Sequence, residues 1–236
     1  EMFDVVIQLG AIMAVVVLYF HKLNPFSPRK SHKQKMLTWQ MWIKVLIGSV
    51  PAGIVGILFN DILDEIFYKP LPVAIMLIVY GVLFIVIENY NKRRRPTCTR
   101  LDELSFKTAL IIGCFQVLSL VPGTSRSGST IIGGLLLGCT RSVASKFTFF
   151  LAIPVMFGAS ALKLVKYFIK GGTFGTNEIA ILGVGCVVAF LVSRIAIKWL
   201  MGFVRRHDFN CFGVYRIILG IVVLAYFFVL EPMLGL

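Results

Sequence analysis

Six stretches of this chain, at 3–20, 42–60, 71–88, 147–167, 179–200 and 212–230, run 18 to 22 residues as predominantly apolar sequence. About 20 such residues carry one helix across the roughly 30 Å of hydrocarbon in a bilayer. Only helices and closed barrels satisfy their backbone polar groups in lipid. The alternating strands of about ten residues that a barrel needs are not visible. The spacing therefore predicts an all-α integral membrane protein with six transmembrane helices. Composition agrees, with 58% hydrophobic and 15% charged residues where soluble chains carry about 25% charged.

The net charge of +13 collects in short connections rather than along one face. Lys22, Arg29, Lys30, Lys33 and Lys35 follow the first stretch, and Lys92, Arg93, Arg94, Arg95 and Arg100 follow the third. Between the second and third stand Asp61, Asp64 and Glu65 against Lys69. Cytoplasmic loops of membrane proteins are rich in Lys and Arg, so both basic connections are assigned inside and the acidic one outside. No base-reading module is visible, and nucleic acid is not expected as a partner. Cysteines 98, 114, 139, 186 and 211 are scattered without ligand spacing and read as packing residues.

Between the third and fourth stretches the chain does something else. Thr99 followed by Asp102 resembles a helix start. An apolar arm runs from Ala109 to Val121, and Pro122-Gly123 breaks it. A second arm resumes at 130–139. Each arm is too short to cross. A re-entrant hairpin over 99–139 that returns to the cytoplasmic side leaves Arg141, Lys146, Lys198, Arg205 and Arg206 inside and Lys166 and Lys170 outside, which obeys the charge rule better than a crossing does. The chain then divides as one membrane domain: three spans in 1–98, the hairpin, and three spans in 140–236. Membrane folds are often inverted repeats whose broken helices meet at mid-depth. On that pattern this chain is the second half of such a repeat plus part of the first, and a matching hairpin is expected ahead of Glu1.

The turn itself reads Pro122-Gly123-Thr124-Ser125-Arg126-Ser127-Gly128-Ser129-Thr130. Thr124, Ser125, Ser127, Ser129 and Thr130 supply hydroxyls, while Gly123 and Gly128 let backbone amides come close to a ligand. Arg126 brings a planar fork suited to two phosphate oxygens, and a helix start at the same place favours negative charge. An arginine at mid-bilayer is costly enough that function is its default reading, against the blander one of helix capping and snorkelling. The Lys-Ser/Thr ending and preceding strand of a P-loop are missing. Gln116 on the first arm could reach a ligand or serve a helix-helix hydrogen bond. Gln8 shares a helix face with Asp4 and could turn toward the same cavity. Glu88 is placed at the cytoplasmic boundary without chemistry, and Arg194 and Arg216 are read as snorkelling near inner helix ends. His21, His32 and His207 all lie in basic connections.

Gly113-Cys114-Phe115-Gln116 with the run 122–130 resembles the second signature of the bacterial undecaprenyl-diphosphate phosphatase family, the bacitracin-resistance proteins. The run 3–10, Phe3-Asp4-Val5-Val6-Ile7-Gln8-Leu9-Gly10, is similar to that family's helix after its first signature. The resemblance implies an enzyme of the bacterial plasma membrane that hydrolyses undecaprenyl diphosphate, recycling the lipid carrier for cell-wall synthesis. It further implies a homodimer and a divalent metal, Mg or Ca. By the same resemblance Arg126 and Ser125 form the essential diphosphate-binding pair, with Ser127 and Thr130 supporting; the chemistry of the residues themselves adds Gly123, Thr124, Gly128, Ser129, Gln116 and Gln8 as expected substrate-binding positions. The family's acidic first signature is expected upstream of residue 1, leaving metal ligands and attacking group unassigned and the present chain inactive. The alternative from residues alone is a transporter or flippase of a phosphorylated polyprenyl lipid.

Overall fold

The computed structural model describes residues 2–169, 171 and 175–231. Regular structure in them is helical: α1 Met2–Leu18, α2 Phe20–Leu23, α3 His32–Phe67, α4 Pro70–Lys92, α5 Phe106–Val117, α6 Arg126–Leu136, α7 Arg141–Ile169, α8 Thr176–Arg206 and α9 Asn210–Ala225, the last continuing into a π-helical turn at Tyr226–Leu230. Among the described residues, His32–Phe59, Pro70–Lys92, Arg141–Ile169, Glu178–Val204 and Asn210–Phe228 are long and apolar enough to cross a membrane. The chain is thus a multi-pass membrane protein. The first of the six expected spans is shorter than its apolar sequence, because α1 stops at Leu18 after 17 residues. The other helices overrun their apolar windows. The expected acidic loop is an example, since the backbone at 61–65 is still helical and α3 ends only at Phe67. Pro51 and Pro154 sit inside α3 and α7, as membrane helices tolerate. The expected repeat partner ahead of Glu1 lies outside the described residues.

The chain forms two compact units, 1–46 with 149–203 and 47–148 with 204–236. In the first, the Tyr19 ring meets Phe150 edge-on at 5.3 Å, and the Trp42 indole donates to the Leu23 carbonyl at 2.8 Å. Lys30 caps the end of α2 by donating to the carbonyls of Lys22 and Asn24 and to the Thr38 hydroxyl. On α8 the large apolar side chains, Val184, Ile195 and Trp199 among them, are exposed. That is what a lipid-facing helix requires.

The second unit is organised by α4 and α9, which run antiparallel in close contact. A side chain at Gly213 would put its Cβ 2.7 Å from the Gly81 carbonyl oxygen, and one at Gly220 would meet the Ala74 carbonyl at 3.0 Å. Small residues at such crossings let backbones approach where lipid supplies no hydrophobic drive. Against this pair lies the hairpin. Its two ends are stitched together: Thr97 and Cys98 donate to the Gly138 carbonyl at 2.9 and 3.0 Å, and Thr140 donates back to the Cys98 carbonyl at 2.9 Å. The segment therefore returns to the level at which it began, as the expected re-entrant hairpin requires. Cys98 and Cys139 face each other across this bridge. Burial and the neighbouring Cys98 push the Cys139 thiol up to about 12, a packing residue rather than a reactive one.

Candidate functional site

The structure moves both helix starts of the hairpin. Leu101–Glu103 is a short 3-10 turn in which Glu103 accepts from the amides of Thr99 and Arg100. The first arm begins instead at Phe106, where Ser105 caps it by accepting the Thr108 amide at 3.0 Å. The second arm begins at Arg126 rather than Thr130. Ser125 is its N-cap, its hydroxyl accepting the Gly128 amide at 3.1 Å. Serine is among the residues best able to satisfy an orphan amide there. Ser127, Ser129 and Thr130 therefore belong to the start of α6 rather than to a loop in front of it, with Thr124 just ahead of the cap. The amides of Arg126 and Ser127 are left without intrahelical acceptors.

The tip is held from several sides. Gly123 has φ +89°, a left-handed conformation costly to any residue with a Cβ, and it packs against the backbone of Val73 on α4. Thr124 donates to the carbonyls of Leu118 and Val121 at 3.0 and 2.6 Å. Ser129, fully buried, donates to the Tyr80 hydroxyl at 3.0 Å. Thr130 bonds the Arg126 and Ser127 carbonyls and the Thr148 hydroxyl. Gly128 is buried against the Phe84 ring. These groups fasten the turn, and their hydroxyls point into the protein. Ser125, Arg126 and Ser127 remain accessible, with the two serine oxygens 3.1 Å apart. Gln116 is 2% exposed, and its side-chain nitrogen has no partner among the described residues. Gln8, on α1 of the first unit, is exposed. The Asp4 side chain lies outside the described residues.

Among the described residues the Arg126 guanidinium has no ion pair and no hydrogen bond. It also stands at the first position of α6, where the helix dipole is positive and a cation is disfavoured. The first arm begins beside the basic connection, and α6 descends 11 residues back to it, about 16 Å at 1.5 Å per residue. Tyr80, level with Ser129, is midway along α4, and Val73, level with Gly123, is one turn from the end of α4 remote from the basic connection. The turn thus lies between the middle of α4 and the end of α4 remote from the basic connection.

Two residues read as peripheral are not. Arg216, expected to snorkel, is well inside α9 and donates from Nη2 to the Gly123 carbonyl at 2.7 Å, with its guanidinium 5.8 Å from the Tyr80 ring centre. Its fork is turned inward by the tight α4–α9 crossing. The signal was present: Ala74 and Gly81 are seven residues apart, as are Gly213 and Gly220. Glu88, expected at the boundary, is 1% exposed, pairs with Arg141 and accepts the Phe209 amide at 3.3 Å. It anchors the base of the hairpin. Arg194 is exposed, consistent with its reading. A cavity of about 690 Å³ opens at that base, lined by Glu88, Lys92, Arg94, Arg95 and Arg141, at the far end of α6 from the turn.

No group of three or more His, Cys, Asp or Glu among the described residues could hold a metal ion. The hairpin's carboxylates, Asp102 and Glu103, are at its base, and it has no histidine. Hydroxyls, amides and a guanidinium are partners for an anion, not for the hard cation expected from the sequence. The turn does not fit a metal by itself.

The profile of the family described as "Bacitracin resistance protein BacA" matches residues 1–222. Because the match begins at residue 1, it gives no support to the expectation that a signature region is missing ahead of Glu1. Curated relatives named undecaprenyl-diphosphatase include one from Enterococcus faecalis, 58% identical over 226 residues, covering 96% of this chain and 82% of the relative. Another, from Limosilactobacillus fermentum, is 56% identical over 231 residues, with 98% and 84% covered. A third, from Acetivibrio thermocellus, is 57% identical over 227 residues, with 96% and 82% covered.

Proposed function

The chain belongs to the bacitracin resistance protein BacA family, and from that premise we propose that it hydrolyses undecaprenyl diphosphate to undecaprenyl phosphate and inorganic phosphate. Phosphoryl transfer asks an enzyme chiefly to position the reacting groups and to neutralise charge on the phosphoryl oxygens. The observation that carries the reading is Arg126: a cation without a carboxylate, at the positive end of a helix, inside the membrane. Each of those features alone is unfavourable. A diphosphate resolves all of them, with oxygens on the guanidinium fork, on the amides of Arg126 and Ser127, and on the hydroxyls of Ser125 and Ser127.

Thr124, Ser129, Thr130, Gly123 and Gly128 act in this reading by fixing the turn, and the buried Gln116 nitrogen on the first arm, unpartnered among the described residues, is a further donor proposed for the ligand. The hairpin has no acid or histidine near its tip, so the group that activates water belongs to another part of the protein. A divalent metal, Mg or Ca, would take its carboxylate ligands from there as well, and the chemistry assigned to the turn does not run through it. Cell-wall carrier recycling, the bacterial plasma membrane and a homodimeric form belong to the same proposal, on the family resemblance.

Purified protein supplied with undecaprenyl diphosphate should release inorganic phosphate. Movement of the intact lipid between leaflets of sealed vesicles, without phosphate release, would instead establish a transporter.

A further inference from the structure

We propose that Arg216 is a second diphosphate-binding residue, and that it makes the site prefer two linked phosphates over one. The inference rests on the hydrolase reading for its ligand class and on separate geometry for its substance. Arg216 comes from α9, outside the hairpin. It reaches the carbonyl of Gly123, three residues before Arg126, with one terminal nitrogen. Its Nε is buried and has no partner among the described residues, and it has no carboxylate there either.

A carbonyl clamp alone does not need a charge; a neutral amide could hold Gly123 as well. What the structure contains instead is two guanidinium groups without a carboxylate among the described residues, one at the first position of α6 and one on the Gly123 carbonyl three residues before it. Like charges in a region of low dielectric repel strongly, and buried cations are normally paired. A multiply charged anion bound at the turn offsets both charges at once. A diphosphate, with charge on both phosphorus centres, matches two forks; a single phosphate matches one. The Tyr80 ring, flanking Arg216 and fixed through its hydroxyl by Ser129, holds the second fork in place.

The test uses inorganic pyrophosphate and inorganic phosphate as binding probes with the intact protein, so that it does not depend on turnover. Wild type should bind pyrophosphate more tightly than phosphate. Arg216→Gln and the charge-keeping Arg216→Lys should weaken pyrophosphate binding roughly ten- to hundredfold, the worth of a charge-assisted hydrogen bond, while phosphate binding changes little. In turnover both variants should raise KM for the lipid diphosphate more than they lower kcat. Unchanged preference for pyrophosphate in Arg216→Lys, with thermal stability lost, would overturn the proposal and leave a structural clamp. If wild type binds pyrophosphate but releases no phosphate from the lipid, the hydrolase reading fails while this one stands.

Discussion

The two ends of the hairpin use the same residue types to opposite effect. At its base, Arg141 is paired with buried Glu88, Lys92 with Asp208 at 2.7 Å, and Arg100 with Asp102 at 3.0 Å. At its tip, Arg126 and Arg216 have no carboxylate among the described residues. Paired cations at the base close a structure: the β-bridge at Cys98 and Cys139, the Asn91 side chain on the Leu135 carbonyl, and the Glu88 cluster join α4, α6, α7 and α9. Among the described residues, Arg126 at the tip makes no such link and Arg216 makes one, to the Gly123 carbonyl; on the proposed function, a bound diphosphate offsets the cost of leaving both without a carboxylate. The difference separates charge that builds the fold from charge that, on the proposed function, binds the ligand.

The sharpest break between the two ends is expected from Arg126→Lys. It should lower phosphate release by about 10²–10³-fold, the size of losing one positioned electrostatic partner in a transition state, because a point charge does not replace a fork. Thermal stability in detergent should not fall. A variant that loses stability in proportion to activity would place Arg126 with the base, not the tip. Glu88→Ala should do the reverse. Removing it strands Arg141 and the Phe209 amide, and because Arg141 is about one-third exposed the loss is about 2–3 kcal/mol, below the value for a fully buried pair. Activity per folded molecule should survive, as measured by turnover normalised to the folded fraction.

Within the tip, Ser127→Ala and Ser129→Ala sharpen the contrast on a smaller scale. Ser129 is buried on Tyr80, and losing its hydrogen bond should cost about 1 kcal/mol in denaturant unfolding. Ser127 is exposed, so its removal should leave stability within about 0.5 kcal/mol while raising KM. The smallest effect concerns Asp208. Its hydrogen bond and attraction to Lys92 hold its carboxyl below the usual carboxylate value. The pair therefore stabilises the folded state above the unfolded pKa of about 4 and ceases to do so as pH falls through the lowered one. Asp208→Asn should cost a few tenths of a kcal/mol at neutral pH and nothing in acid, read from urea midpoints.

The hairpin was legible because its signals are local. Pro122-Gly123 cannot continue a helix, two arms are too short to cross, and an arginine among hydroxyls is rare in apolar sequence. Even so, residue types alone did not separate Ser125 and Ser127 from Ser129 and Thr130. Their roles follow from which way one helical turn faces, and that depends on Ser125 acting as the cap. The contacts of Arg216 and Glu88 are not legible for a different reason. Their partners are 93 and 53 residues away in sequence; the α4–α9 contact brings Arg216 to the tip, and the stitched hairpin base brings Arg141 to Glu88. Small residues at intervals of seven, Ala74 with Gly81 and Gly213 with Gly220, carry that information only once the two helices are known to be neighbours.

The claim that the tip, and not the basic cavity at the base, receives the diphosphate can be measured directly. Solid-state NMR on the membrane-embedded protein, with ¹⁵N-labelled arginine and bound inorganic pyrophosphate, reports which guanidinium lies next to phosphorus. Close ³¹P contact to an arginine signal that disappears in Arg126→Lys is the predicted result. Phosphorus lying beside Arg94, Arg95 or Arg141 instead, with the Arg126 signal untouched, would contradict the account.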